Sequence, residues 1–261
     1  MNRVFILSPA NCNGLRAHWL LRKNSQSDLA QRLRSPGAPL GEVFIFLSAL
    51  YFRGKLAYAE AFARPPFESP GIFIITPTAG LVPHDTLIQL PHLRRFGRMP
   101  IHLKNQVYCS ALRRSAKKLA SLVGSDCEVV LLGSLASRKY LEILSPIFGT
   151  RLVVPVEFIG LGDMSRGGLL LRSVQENREL NYVDGTVLAA QSKSARDKMR
   201  TRSYVHRQRQ NDPSAIVYQE VVYGKSQTTK RGSTKHQEGD QSRKAKTNSE
   251  ASTKENTQSS G

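Results

Sequence analysis

The stretch EVVLLG, residues 128–133, followed at once by Ser134, decides how the rest of the chain is read. Its apolar residues are consecutive rather than alternating, and the run is too short for an ordinary helix before glycine and serine punctuate it. A strand covered on both faces has this character. Three other runs share it: VFIL at 4–7, IFIIT at 72–76 and RLVVPV at 151–156, each bounded by Gly, Pro, Ser or Asn. Together they predict the centre of a parallel sheet.

Helical patterns lie between them. Residues 105–123 place Val107, Ala111, Leu112, Leu119, Leu122 and Val123 near one face, with Asn105 as cap and Gly124 as stop. Arg113, Arg114, Lys117 and Lys118 fall on the opposite side. Leu135–Leu144 predicts a shorter helix capped by Ser134 and ended before Pro146, and residues 42–63 one helix with Gly54 as its weak point. Short helices are expected near 14–22 and 27–34. Strands alternating with helices give an α/β fold with a mostly parallel sheet. Beyond GLGDMSRGGLLLR, residues 160–172, the alternation from Leu169 to Val174, the polar QENR and then ELNYV predict a β-hairpin at the sheet edge, with a helix over 165–180 as the alternative.

From Gln191 onward the apolar runs nearly stop and Ser, Thr, Lys, Arg, Gln and Asn dominate. Such a segment has too little apolar surface to offset the entropy of ordering it, so the folded body is expected to be 1–191 and residues 192–261 a mostly disordered tail. Only SAIVYQEVVY, 214–223, has the composition of a local strand or docking segment. The net charge of +18 divides between the two parts: 15 Lys/Arg against 7 Asp/Glu in the tail, 23 against 13 in the body. Both are basic, which favours anionic partners, either nucleic acid or phosphorylated small molecules, although a basic surface also serves solubility. Three scattered cysteines without CxxC spacing fit a reducing compartment. With no leader-like start and no membrane-length apolar run, the expectation is a soluble, cytoplasmic protein without a membrane partner.

Ligands of open parallel sheets bind at the carboxyl ends of the strands. The first loop there offers Ser8, Asn11 and Arg16; the second, after IFIIT, offers His84 and Asp85. The third offers Gly133, Ser134 and Arg138; the fourth offers Asp163, Ser165 and Arg166. The third has the clearest mechanism, since a Gly-Ser turn feeding a helix aims backbone N–H groups at an anion, but the same pair is also an ordinary capped turn. His84 and Asp85 are candidates for a general base and its orienting carboxylate, with Asp163 a further catalytic candidate. Arg53 and Lys55 in YFRGKLAY read as solvated charges whose stems cover apolar surface. Cys12 reads as a packing residue, and no histidine has metal-ligand spacing, so no metal site is expected.

Four blocks, FILSPANCNGLRA (5–17), FLSALYFRGKLAYAEAFA (46–63), IITPTAGLVPHD (74–85) and GDMSRGGLLLR (162–172), resemble an uncharacterised bacterial α/β family. More distantly, their order is similar to the YaaA-type and transglycosylase-associated α/β proteins. The resemblance implies a Rossmann-like three-layer body and little about chemistry. The leading expectation is a domain, enzymatic or not, that holds a phosphorylated or nucleotide-like ligand; the alternative is a nucleic-acid-binding protein using body and tail. No GxSxG, P-loop, HExxH or dinucleotide glycine motif identifies a reaction or a cofactor.

Overall fold

A computed structural model describes residues 1–133 and 139–187 of the chain. In chain order the elements begin with strand β1 (Arg3–Leu7), helices α1 (Leu15–Leu21) and α2 (Asp28–Arg34), and the two-residue strand β2 (Ala38–Pro39). Helices α3 (Leu40–Ser48) and α4 (Leu50–Phe62) follow, then strands β3 (Ile72–Thr76), β4 (Gly80–Pro83) and β5 (Leu87–Ile88). Next come helices α5 (Leu90–Arg98) and α6 (Gln106–Val123), strand β6 (Glu128–Leu132), helix α7 (Leu141–Phe148), strand β7 (Leu152–Pro155), helix α8 (Asp163–Gln175) and strand β8 (Tyr182–Asp184). The four apolar runs are β1, β3, β6 and β7. They lie side by side and parallel, within a six-stranded sheet of order β4-β3-β1-β6-β7-β8. The outermost strands, β4 and β8, run antiparallel to their neighbours.

Consecutive residues of a strand point to opposite faces, and here both faces are covered. Phe5, Leu7, Ile72, Ile74, Val130, Leu132 and Val153 pack under α1 to α5 and α8. Val4, Ile6, Phe73, Ile75, Val129, Leu131 and Val154 pack under α6 and α7. This double burial is why the runs are apolar at every position rather than at alternate ones. Helix α6 has the expected ends: the Asn105 side chain accepts hydrogen bonds from the backbone N–H groups of Val107 and Tyr108, and Gly124 takes φ +74°. Arg113, Arg114, Lys117 and Lys118 are exposed, as its periodicity requires.

Several expectations are corrected. The single helix over 42–63 is two helices, broken at Ala49, which adopts φ +47°. Gly54 is no weak point: it lies inside α4, where a Cβ would stand 2.7 Å from the Gly167 carbonyl oxygen of α8. The hairpin expected beyond 160 is helix α8, and the antiparallel hairpin at the sheet edge is instead β3–β4. Gly167 serves helix contact, a Cβ there meeting the Tyr51 Cα at 2.9 Å. The helix expected over 135–144 is α7, which runs through Pro146; part of the expected span lies outside the described residues, as does the whole tail from 192. Among the described residues no helix is long and apolar enough to cross a membrane.

Candidate functional site

Chain direction reverses across the sheet between β1 and β6: β1 leads to β3 on one side, whereas β6 leads to β7 on the other. Loops leaving the two central strands must part there, which opens a crevice at their carboxyl ends. A cleft of about 530 Å³ occupies this place, walled by residues 9–13 after β1, Pro77 after β3, residues 96–101 at the end of α5, and Lys139 and Tyr140 after β6. Arg98 and Lys139 are the only charged groups among its described lining residues. Burial lowers the Lys139 pKa. Asn11 and Asn13 supply neutral polar groups, with the Asn11 side-chain oxygen accepting from the Asn13 N–H at 2.9 Å.

Beneath this cleft lies a buried polar cluster. Lys55, 1% exposed on α4, extends its ammonium group to the end of β1, where Nζ is 2.5 Å from the Ser8 carbonyl oxygen and 2.9 Å from Ser8 Oγ. The rings of Tyr51 and Phe52 flank Nζ at 4.6 Å from each centroid. No carboxylate pairs with Lys55 among the described residues, so burial outweighs the attraction of Asp163 and drives the Lys55 pKa down to about 7. Ser8 adjoins Gly133 at the close of β6: a Cβ on Gly133 would come within 3.0 Å of Ser8 Cβ and 3.7 Å of the Tyr140 ring. The glycine thus keeps the space between the two strand ends open.

Helix α8 supplies the other side. Arg166 is buried, donating from Nε and Nη2 to the Phe158 carbonyl oxygen and from Nη1 to Asp163 at 3.2 Å. Asp163 itself is exposed, yet its charge acts on Lys55, Tyr51 and Tyr140 alike. The Tyr51 hydroxyl is buried without a hydrogen bond of normal geometry; burial pushes its pKa up to about 12, opposed by the nearby Arg166. Burial likewise raises Tyr140, and pushes the Cys12 thiol up to about 12, which leaves that thiol protonated and unreactive at neutral pH.

The candidates from the sequence are distributed unevenly around this centre. Ser8 and Gly133 meet at the adjoining ends of β1 and β6, Asn11 stands in the cleft wall, and Asp163 and Arg166 pair on α8. Ser165 is exposed on the same helix. Arg16 is exposed on α1 and donates to the Phe46 carbonyl oxygen at 2.9 Å, outside the cleft lining. His84 and Asp85 lie elsewhere: β4 runs back along β3, so the His84 N–H bonds the Ile72 carbonyl at the amino end of that strand. Ser134 and Arg138 fall outside the described residues. Lys55, Tyr51, Arg98 and Lys139 were not singled out for a site by the sequence. For Lys55 a signal existed, since Tyr51, Lys55, Tyr58 and Phe62 share one helical stripe, three of them large and aromatic.

Fold and cleft define a class: an α/β protein with a mostly parallel sheet covered on both faces and a cationic cleft at the strand carboxyl ends. No family model matches the chain, and no curated protein or solved structure matches it either. Among the described residues there is no group of three or more metal-ligating side chains.

Proposed function

We propose that the chain binds a small anionic molecule, phosphorylated or nucleotide-like, in the cleft above β1 and β6. The observation that carries this reading is the lining of the cleft, whose described residues include Arg98 and Lys139 and no carboxylate. Numbered consecutively, the six strands stand in the order 3-2-1-4-5-6, the arrangement of Rossmann-like sheets, whose ligands sit where the order reverses. The two asparagines, Asn11 and Asn13, provide neutral partners for the rest of such a molecule. Thermal unfolding of the full chain against a panel of nucleotides and sugar phosphates tests it. A saturable rise in Tm with at least one of them, diminished in Arg98→Ala and Lys139→Ala, is expected. The reading fails if no member of the panel raises the Tm.

A second reading, nucleic-acid binding, is favoured by one observation. Residues 86–125 contain no Asp or Glu and eight Lys/Arg, every one of them exposed. Binding of this kind would weaken steeply with salt, through release of counterions from the phosphates. Salt-insensitive or absent retention of both DNA and RNA would rule it out.

A further inference from the structure

We propose that Ser8 and Lys55 form a nucleophile–base pair for acyl transfer, hydrolysing an ester or thioester whose anionic remainder lies in the cleft. This goes beyond ligand binding and rests on that reading only for the choice of substrate. Three observations carry it. The Lys55 amine is fixed 2.9 Å from Ser8 Oγ, within the reach that proton transfer requires. Ser8 stands at the end of β1, immediately before Pro9, where the cleft begins. The amine is buried between Tyr51 and Phe52, and among the described residues only the hydroxyl and carbonyl of Ser8 are its hydrogen-bond partners.

A lysine placed only to cap a strand-end carbonyl would be served by any neighbour. Here the single side chain it touches by hydrogen bond among the described residues is a hydroxyl, the group a neutral amine can activate. An uncharged Nζ donates one N–H to the Ser8 carbonyl and presents its lone pair to the Ser8 O–H. The charged and titratable groups around it are Tyr51 on its own helix and Asp163 with Arg166 on α8. Asp163, the carboxylate whose charge acts on Lys55, is paired with Arg166 at 3.2 Å.

The chemistry balances with water as co-reactant. As Oγ bonds to the acyl carbon, its proton moves to Nζ and the carbonyl π electrons move onto oxygen. Collapse of that adduct breaks the bond to the leaving group, which departs with the proton from Nζ. Water then adds to the acyl-serine, Nζ again takes and returns the proton, and free acid and Ser8 are released.

The test uses the full chain and a small acylating or phosphonylating serine reagent, a fluorophosphonate, read by intact mass and peptide mapping. One adduct on Ser8 is expected, absent from Ser8→Ala, with a labelling rate that rises through a midpoint near pH 7. Lys55→Met, checked for folding by circular dichroism, should label about 100-fold or more slowly, the lower range for loss of a general base. The wild-type pH profile alone decides the matter if Lys55→Met does not fold. An adduct that persists in Ser8→Ala, no adduct on wild type, or a rate that climbs only above pH 9 overturns the proposal. Anion-dependent stabilisation without labelling would overturn the dyad alone; labelling without any stabilising anion would overturn the ligand reading alone.

Discussion

The two faces of the sheet solve the same packing problem with different materials. Under α6 and α7 the contacts are Leu112, Ala116, Leu119, Leu144 and Phe148 against strand residues of the same kind, and neither helix buries a charged residue among those described. Under α4 and α8 an apolar layer of similar character is interrupted by Lys55 and Arg166, and the two helices touch through Gly54 and Gly167. Burying a charge costs stability unless it is paired and fully hydrogen-bonded. One face therefore behaves as support, whereas the other gives up part of its stability where it meets the strand carboxyl ends. That is the pattern expected when a fold holds reactive groups in place.

The contrast can be broken in either direction. Phe148, buried at the end of α7, should cost about 3–5 kcal/mol on replacement by alanine, through lost transfer energy and a residual cavity. Urea unfolding measures the loss, and the surviving folded fraction should label Ser8 at the wild-type rate. If labelling falls with stability, the two faces are not separable. Gly54→Ala should cost less, about 1–3 kcal/mol, because its Cβ pushes on the Gly167 backbone across the helix contact. Its effect on Ser8 labelling should nevertheless be the larger, since Lys55 is the next residue. An unchanged rate in a destabilised Gly54→Ala protein would show that the helix contact does not position the amine.

Much of the support face was legible in the sequence. Strands buried on both sides need apolar residues without alternation, and α6 announces itself by its stripe, the Asn105 cap and Gly124. The other face was misread where tertiary contact overrides local preference. Gly167 and Gly168 argue against a helix over 163–175 until α4 is seen to approach so closely that a Cβ at 167 has no room. The break at Ala49 carries no proline or glycine to mark it. In the sequence Lys55 reads as a surface charge because lysine is seldom buried, although its aromatic stripe points inward. The cleft needed the structure, since Asn11, Arg98 and Lys139 are separated in sequence and joined only by strand order.

The account stands or falls on whether Lys55 is held uncharged beside Ser8. With a folded-state pKa near 7 against 10.5 for an ordinary lysine, the unfolded chain carries a proton there that the folded chain lacks at intermediate pH. Stability should then rise with pH from about 7 to about 9, by up to about 1.4 kcal/mol per pH unit from this group. Above that range Cys12 and Tyr51, both pushed up to about 12 by burial, ionise first in the unfolded chain and oppose the rise. The decisive measurement is the unfolding free energy of the wild type and Lys55→Met, by urea titration at half-unit steps from pH 6 to 9. A rise in the wild type that disappears in Lys55→Met is the predicted result; parallel curves for the two proteins would contradict it.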